Sequence, residues 1–306
     1  MPDTLKAIVQ QLQSLPLIPS VIVKVTEQAS NPRTSALDLA RTILTDQALT
    51  ARLLRVVNSP LYGFPRRIAT VTEAVTILGF NAVRNLLLSS SVVDLLAAEE
   101  TPEFSPRALW EHAVGTAVGA SRIAAYLRHE AQEELFVAGL LHDVGKLVLF
   151  HCQPKDYGAA LQAARADDLP LRTGEQRVFG AGHDQVGRLL AERWKLPVRL
   201  GEAVGYHHRP DLAQVAVREA TMVHAADVIA HALQLGSGGE DAVPALHQAC
   251  WDSLGFPVGS FPSMMTEIED RFEDVRAALI GGLNAQARPP DHGQRSGAPR
   301  MPAGMR

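Results

Sequence analysis

The chain has 306 residues, 46% hydrophobic and 20% charged, with a formal net charge of −4. That balance allows a globular fold of two lobes with a real core and excludes a strongly basic nucleic-acid binder. Two cysteines, Cys152 and Cys250, exclude a disulfide framework. The opening "MPDTLKAIVQQLQ" lacks the apolar core of a secretory leader, so a cytoplasmic setting with no membrane span is expected.

Strand signals are scarce and helical periodicity is nearly continuous, so the expected fold class is all-α. "TSALDLARTILTD" begins with a capping pattern, Ser35 before Asp38, and its apolar positions are read as Leu37, Ala40 and Leu44. Asp46 caps the next helix, and Asn58-Ser59-Pro60 ends it. "VTEAVTILGFNAVRNLLLSSSVVDLL" gives two helices about Gly79. This pair can be drawn as a helix-turn-helix, but Arg84 is the only cation on its second helix and Leu86–Leu88 read as core. A nucleic-acid partner is therefore not expected. "NSPLYGFPRR" sets Tyr62, Phe64, Arg66 and Arg67 in one loop, residue types enriched at protein interfaces.

Residues 1–105, with nine Lys/Arg and nine Asp/Glu, are read as an N-terminal helical lobe. "TPEFSP" is a junction, and residues 106–283 are read as a second helical lobe with a C-terminal extension. Its helices are placed at Arg107–Arg128, Glu133–His151, His183–Lys195, Val198–His208, Arg218–Leu235 and Phe261–Leu283. The Pro/Gly/Arg-rich residues 284–306 are expected to be a disordered tail.

The segment "VAGLLHDVGKLVLF" is apolar almost throughout, yet it carries His142, Asp143 and Lys146. On a helix at about 100° per residue, Lys146 falls about 40° from His142 and Asp143 about 100° from it, with Gly139 between. This is a buried helix with one polar sector. Burying unpaired charge costs several kcal/mol or more, so such groups are paired or bound to a metal. Other helices offer matching donors. His112 shares a line with Gly115, Thr116 and Gly119. His183 shares a face with Val186, Leu190 and Trp194, and His207 follows Leu200, Ala203 and Val204. Asp227 sits between Val223 and Ala230. Imidazoles and carboxylates together are the ligands of mixed nitrogen–oxygen transition-metal sites.

The order His112, His142-Asp143, His183, His207-His208, Asp227 resembles the HD superfamily of metal-dependent phosphohydrolases, with an HD-GYP-like ligand set. "ILTDQALTARLLRVVNSPLYG", "LLHDVGKLVLF" and "HDQVGRLLAERWKLP" narrow the resemblance to the HDOD domain, the HD-related output domain of bacterial signalling proteins, over roughly Leu15 to Leu235. The resemblance implies a two-lobed helical HDOD fold with an HD-type bundle as its C-terminal lobe. By position, His112, His142, Asp143 and Asp227 would bind a first metal. Asp143 would bridge to a second, completed by His183, His207 and His208. Iron, manganese, zinc or nickel would suit the donors. Lys146 matches a lysine that faces substrate phosphate in active relatives, so Lys146 and Asp143 are the candidate catalytic residues. After His207-His208 the chain reads "RPDLAQ" where an HD-GYP enzyme has a Gly-Tyr-Pro loop.

The implied function is a regulatory signalling module that keeps a metal site and acts on protein partners. The alternative is a metal-dependent phosphohydrolase acting on a nucleotide or cyclic dinucleotide, for which a phosphate-containing small molecule is the ligand. His224 and His231 lie on the side of Asp227, where they could support it, but are expected to be ordinary, partly exposed residues.

Overall fold

The computed structural model describes residues 20–59, 62–92, 100–240 and 242–280, and the expected tail at 284–306 lies outside these described residues. Among them every regular element is a helix. The first group comprises α1 (Ser20–Ala29), α2 (Ala36–Ile43), α3 (Gln47–Val57), α4 (Val71–Leu78) and α5 (Phe80–Val92). The second begins with α6 (Pro106–Tyr126), α7 (Gln132–Leu141), α8 (Val144–Cys152), α9 (Pro154–Ala166) and α10 (Leu171–Phe179). It continues with α11 (His183–Arg193), α12 (Val198–Gly205), α13 (Val217–Ala232), α14 (Gln248–Leu254) and α15 (Phe261–Ile280).

The helix starts follow the capping chemistry. The Ser35 hydroxyl accepts from the Asp38 N–H while the Asp38 carboxylate accepts from the Ser35 N–H, a complete capping box. Asp46 accepts from the Leu49 N–H. Asn58 ends α3 and also ties down the following loop, donating to Leu54 O at 2.7 Å and Ile68 O at 2.9 Å. The buried stripe of α2 is Leu39, Ala40 and Ile43. Leu37 and Leu44, expected inward, are about half exposed. The expected stripe was drawn one residue out of phase, which rotates it off the core. Gly79 joins α4 to α5 at φ +83°, a conformation that favours glycine, and the two helices bend by 115° there. Arg84 and Leu86–Leu88 are buried, so α5 presents no cation to a groove.

The first group packs on the second where α5 meets α7 and where α15 lies across both α3 and α6. In the second group α6, α7 and α13 form the centre. Small residues let their backbones approach closely: a Cβ at Gly139 would stand 2.6 Å from the Ala117 Cα, and one at Gly119 would stand 3.2 Å from the Ala226 Cβ. Gln132–Cys152 is apolar and long enough to cross a membrane, but 89% of its apolar window is buried inside the fold. This is the central core segment.

Two expectations need correction. The single helix at Glu133–His151 is two helices, because the chain turns at His142–Asp143 between α7 and α8. The helices α9, α10 and α14 fall where none was read. In α10 the buried face is Leu171, Gly174, Glu175 and Phe179, so half of it carries no hydrophobic side chain. Gly174 is demanded by packing, since a Cβ there would lie 2.3 Å from the Ala160 carbonyl oxygen.

Candidate metal centre

The turn at His142–Asp143 faces four other helices. From α6 comes His112, from α11 His183, from the end of α12 His207 and His208, and from α13 Asp227. All seven expected residues come together here, as does Lys146 from α8. His112, His142, His183 and His207 are fully buried, Asp143 and Asp227 nearly so, and His208 is partly buried. Asp143 stands in the middle. Its Oδ2 lies 3.3 Å from His142 Nε2 and 3.9 Å from His112 Nε2. Its Oδ1 lies 3.2 Å from His183 Nε2 and 3.7 Å from His207 Nε2. On one side Asp227 Oδ1 sits 2.9 Å from His112 Nε2 and 3.7 Å from His142 Nε2. On the other, His208 Nε2 sits 2.8 Å from His183 Nε2.

The imidazoles are aimed by their other nitrogens. Nδ1 of His142 donates to Gly139 O at 2.7 Å, and Nδ1 of His207 donates to Val204 O at 2.7 Å. Each is thereby held with Nε2 pointing into the cluster, the arrangement that outer partners impose on metal-ligating histidines. His183 is fixed by Glu175, whose Oε2 accepts from its Nδ1 at 2.6 Å and from its backbone N–H at 2.8 Å.

These donors fit a metal. Nε2 of His142, Nε2 of His207 and Asp143 Oδ1 are buried without a hydrogen-bond partner among the described residues. With Nδ1–H already committed, a neutral imidazole presents a lone pair at Nε2, and here the lone pairs of His142 and His207 face carboxylate oxygens. Lone pair against carboxylate is unfavourable unless a proton or a cation lies between. Donors about 2.1 Å from a shared ion stand roughly 3–3.5 Å apart, and the distances here run from 2.8 to 3.9 Å about that spacing. Among the described residues three groups bring three such donor atoms within 4.8 Å of one another: His112–His142–Asp143, His183–His207–His208 and His112–Asp227–His231.

Without an ion, a proton can answer the same crowding, as the His142 imidazole shows. Burial pushes the His142 imidazole down, but Asp143 and Asp227 outweigh it and raise it to about 10. Burial, reinforced by His142, pushes His207 down to about 3. Asp143 resists its own burial through His142, Lys146 and His183 and lies well below the usual carboxylate range.

Two further carboxylates belong to the cluster and were not foreseen. One is Glu175. The other is Glu240, from the glycine-rich segment after α13, whose Oε2 accepts from Lys146 Nζ at 2.9 Å. Lys146 is 1% exposed, pairs with Asp143 Oδ2 at 2.9 Å and also donates to Gly238 O at 3.0 Å. Glu175 gives no clear local signal, because it sits within α10, whose buried face is half without hydrophobic side chains. Glu240 left none, because its partner is far away in sequence. The expectation of ordinary, partly exposed residues fails for His224, whereas His231 is partly buried but joins the cluster through Asp227. His224 is 3% exposed, and its Nε2 accepts from the His247 N–H at 2.9 Å. The His231 side chain is 8% exposed, and its Nδ1 sits 3.0 Å from Asp227 Oδ1. Both fall on the buried side because α13 is covered all round, by α6 and α7 on one side and by α12 and α14 on the other.

A curated protein of Treponema pallidum without assigned function is 26% identical over 203 residues, which are 66% of this chain and 39% of that protein. The chain thus spans about two fifths of the length of that relative. The crystal structure of an HDOD domain protein of unknown function from Geobacter sulfurreducens superposes with TM-score 0.69 at 26% identity, covering 92% of this chain and 98% of that one. A Shewanella amazonensis protein provisionally described as a phosphohydrolase has the same fold, with TM-score 0.68, 23% identity and coverage of 89% and 98%. The profile of the HDOD domain matches residues 15–210, from the first helical group through the His207-His208 pair, and this chain belongs to the HDOD domain family.

Proposed function

We propose that the chain is a signal-transduction module that holds two divalent transition-metal ions and acts through contact with a signalling protein. His112, His142, Asp143 and Asp227 would hold one ion. Asp143, His183, His207 and His208 would hold the other. Mixed imidazole and carboxylate donors suit iron, manganese, zinc or nickel. The ions, when bound, supply positive charge and Lewis acidity to the cluster.

The observation that carries the regulatory reading is the state of Lys146. An ammonium that assists phosphate chemistry must offer an N–H to the ligand. The Lys146 ammonium donates to Glu240 and Gly238 and is ion-paired with Asp143 at 2.9 Å, so protein groups already engage it. Its role is then to balance the buried carboxylates. On the partner side, Arg66 and Arg67 are exposed beside the stacked rings of Tyr62 and Phe64. Such a patch suits a protein contact.

A second reading is a phosphohydrolase of nucleotides or cyclic dinucleotides, with Lys146 and Asp143 as its catalytic residues. One observation favours it: an open cleft of about 570 Å³ reaches His208 and Glu240. That is within the size range of small-ligand sites. A screen of cyclic dinucleotides, nucleotides and an aryl phosphodiester against protein loaded with iron, manganese or zinc separates the two. The regulatory reading expects metallated, inert protein. Turnover that disappears in Lys146→Ala would establish the hydrolase instead.

A further inference from the structure

The segment from Gly236 to Glu240 closes one side of the cluster. It is pressed against α6: the Ser237 N–H donates to Ala108 O at 2.9 Å, and a Cβ on Gly236 would lie 2.2 Å from the His112 backbone nitrogen. Gly236 and Gly239 take φ +75° and +92°, so the path needs glycine at both points. The outcome is to deliver Glu240 inward. Its side chain is 10% exposed, with Oε2 2.9 Å from Lys146 Nζ and 3.6 Å from His231 Nε2. The inner atoms of the segment crowd the same spot: a Cβ on Gly238 would stand 3.1 Å from Lys146 Nζ and 3.2 Å from His231 Nε2.

The other side of Glu240 forms part of the wall of the open cleft, together with His208 and His224. A small anion entering from solvent therefore reaches the Glu240 carboxylate before it reaches the Lys146 ammonium. Glu240 meets Lys146 as an incoming anion would, with an oxygen at hydrogen-bond distance and a negative charge. A second anion would be repelled by Glu240 and would find the ammonium already held against oxygens of Glu240, Gly238 and Asp143.

We infer that Glu240 is a specificity-determining residue, an internal anion that occupies the oxyanion position beside Lys146 and excludes inorganic phosphate and phosphate esters from it. This rests on the reading of the cluster as a metal centre, because bound cations provide the positive field that would otherwise draw phosphate in. Neutralising Glu240 should leave the ammonium short of one acceptor in a site open to solvent through the cleft.

The test compares wild type with Glu240→Gln, both as purified with their metal. Metal content is measured by elemental analysis, and inorganic phosphate is titrated by phosphorus NMR and thermal shift. The expected result is equal metal content in the two proteins, with phosphate bound at least tenfold more tightly by Glu240→Gln. The double variant Lys146→Met with Glu240→Gln should lose that gain, because the ammonium is gone. Glu240→Asp, which keeps the charge but withdraws it by one methylene, should gain part of the response and serves if the glutamine variant does not fold. Equal phosphate binding by wild type and by whichever single variant folds would overturn the inference. So would metal loss in Glu240→Gln, which would make Glu240 a ligand. Absence of metal from wild type would instead refute the metal centre itself.

Discussion

Replacing Glu175 by alanine probes the cluster where its support is most concentrated. Glu175 is fully buried, and one of its oxygens accepts both the His183 N–H and the His183 Nδ1–H. Alanine would strand two buried donors at about 1–3 kcal/mol each, so about 4 kcal/mol of stability is at stake. For a protein of this size roughly 2 °C is lost per kcal/mol, which predicts a fall in Tm of about 8 °C. The His183 ring would also lose the contact that fixes its tautomer and direction. Loss of such an outer partner lowers metal affinity by about 10–100-fold. Glu175→Gln keeps an acceptor oxygen in place without the charge, so both losses should be less than half as large on a logarithmic scale. The assay is calorimetry of the metal-free proteins together with zinc and manganese titrations that resolve stoichiometry. Wild-type affinity and full stoichiometry in Glu175→Ala would refute the claim that this carboxylate orients His183.

Asp143→Ala removes the carboxylate that faces both donor groups and should abolish most metal uptake, and full stoichiometry in that variant would show the site is misplaced. Gly145→Ala would put a Cβ 2.0 Å from the His183 carbonyl oxygen, forcing α8 off α11 at a cost of about 1–3 kcal/mol, to be read from the urea midpoint. Metal affinity should rise with pH above neutral, by at least about tenfold per unit while His142 is still protonated. An ion must displace the proton that His142, raised to about 10, still holds, whereas His207, lowered to about 3, has none to lose. In the metal-free protein the His142 contribution to stability has the opposite trend, full below about pH 6.5 and lost as pH rises through 10, which pH-dependent unfolding would reveal. Asn58→Ala should cost about 2–3 kcal/mol, from three hydrogen bonds to Leu54 and Ile68, without changing metal content.

The parts of the cluster legible in the sequence are those whose neighbours in the chain share their fate. His112, His183 and His207 each lie on an apolar stripe at helical spacing, and small residues beside them announce close helix approach. Asp46, Ser35 and Asn58 were legible because caps act within a few residues. The turn at His142–Asp143 was hidden because His142 itself keeps helical dihedrals, φ −54° and ψ −39°, so the apolar pattern runs through the break undisturbed. Glu175 was hidden by its own helix, where a buried glycine and a buried glutamate imitate a solvent-facing stretch. Glu240 pairs with a lysine 94 residues away, and a contact of that range leaves no periodic trace.

His142 follows directly on the last turn of α7 and His207 lies two residues beyond α12, and each grips the carbonyl three residues back through Nδ1. An imidazole is rigid, so its two nitrogens cannot move independently. Any change in what Nε2 touches must swing the ring about its grip on the carbonyl, and the swing pulls on the end of a helix. With an ion bound, the ring would act as a lever between that ion and the backbone. Loss or exchange of the ion would be felt as strain at the ends of α7 and α12, and α7 is the helix on which the first helical group rests through α5. If the centre holds an ion, its occupancy would have a mechanical route to the face that carries Tyr62, Phe64, Arg66 and Arg67.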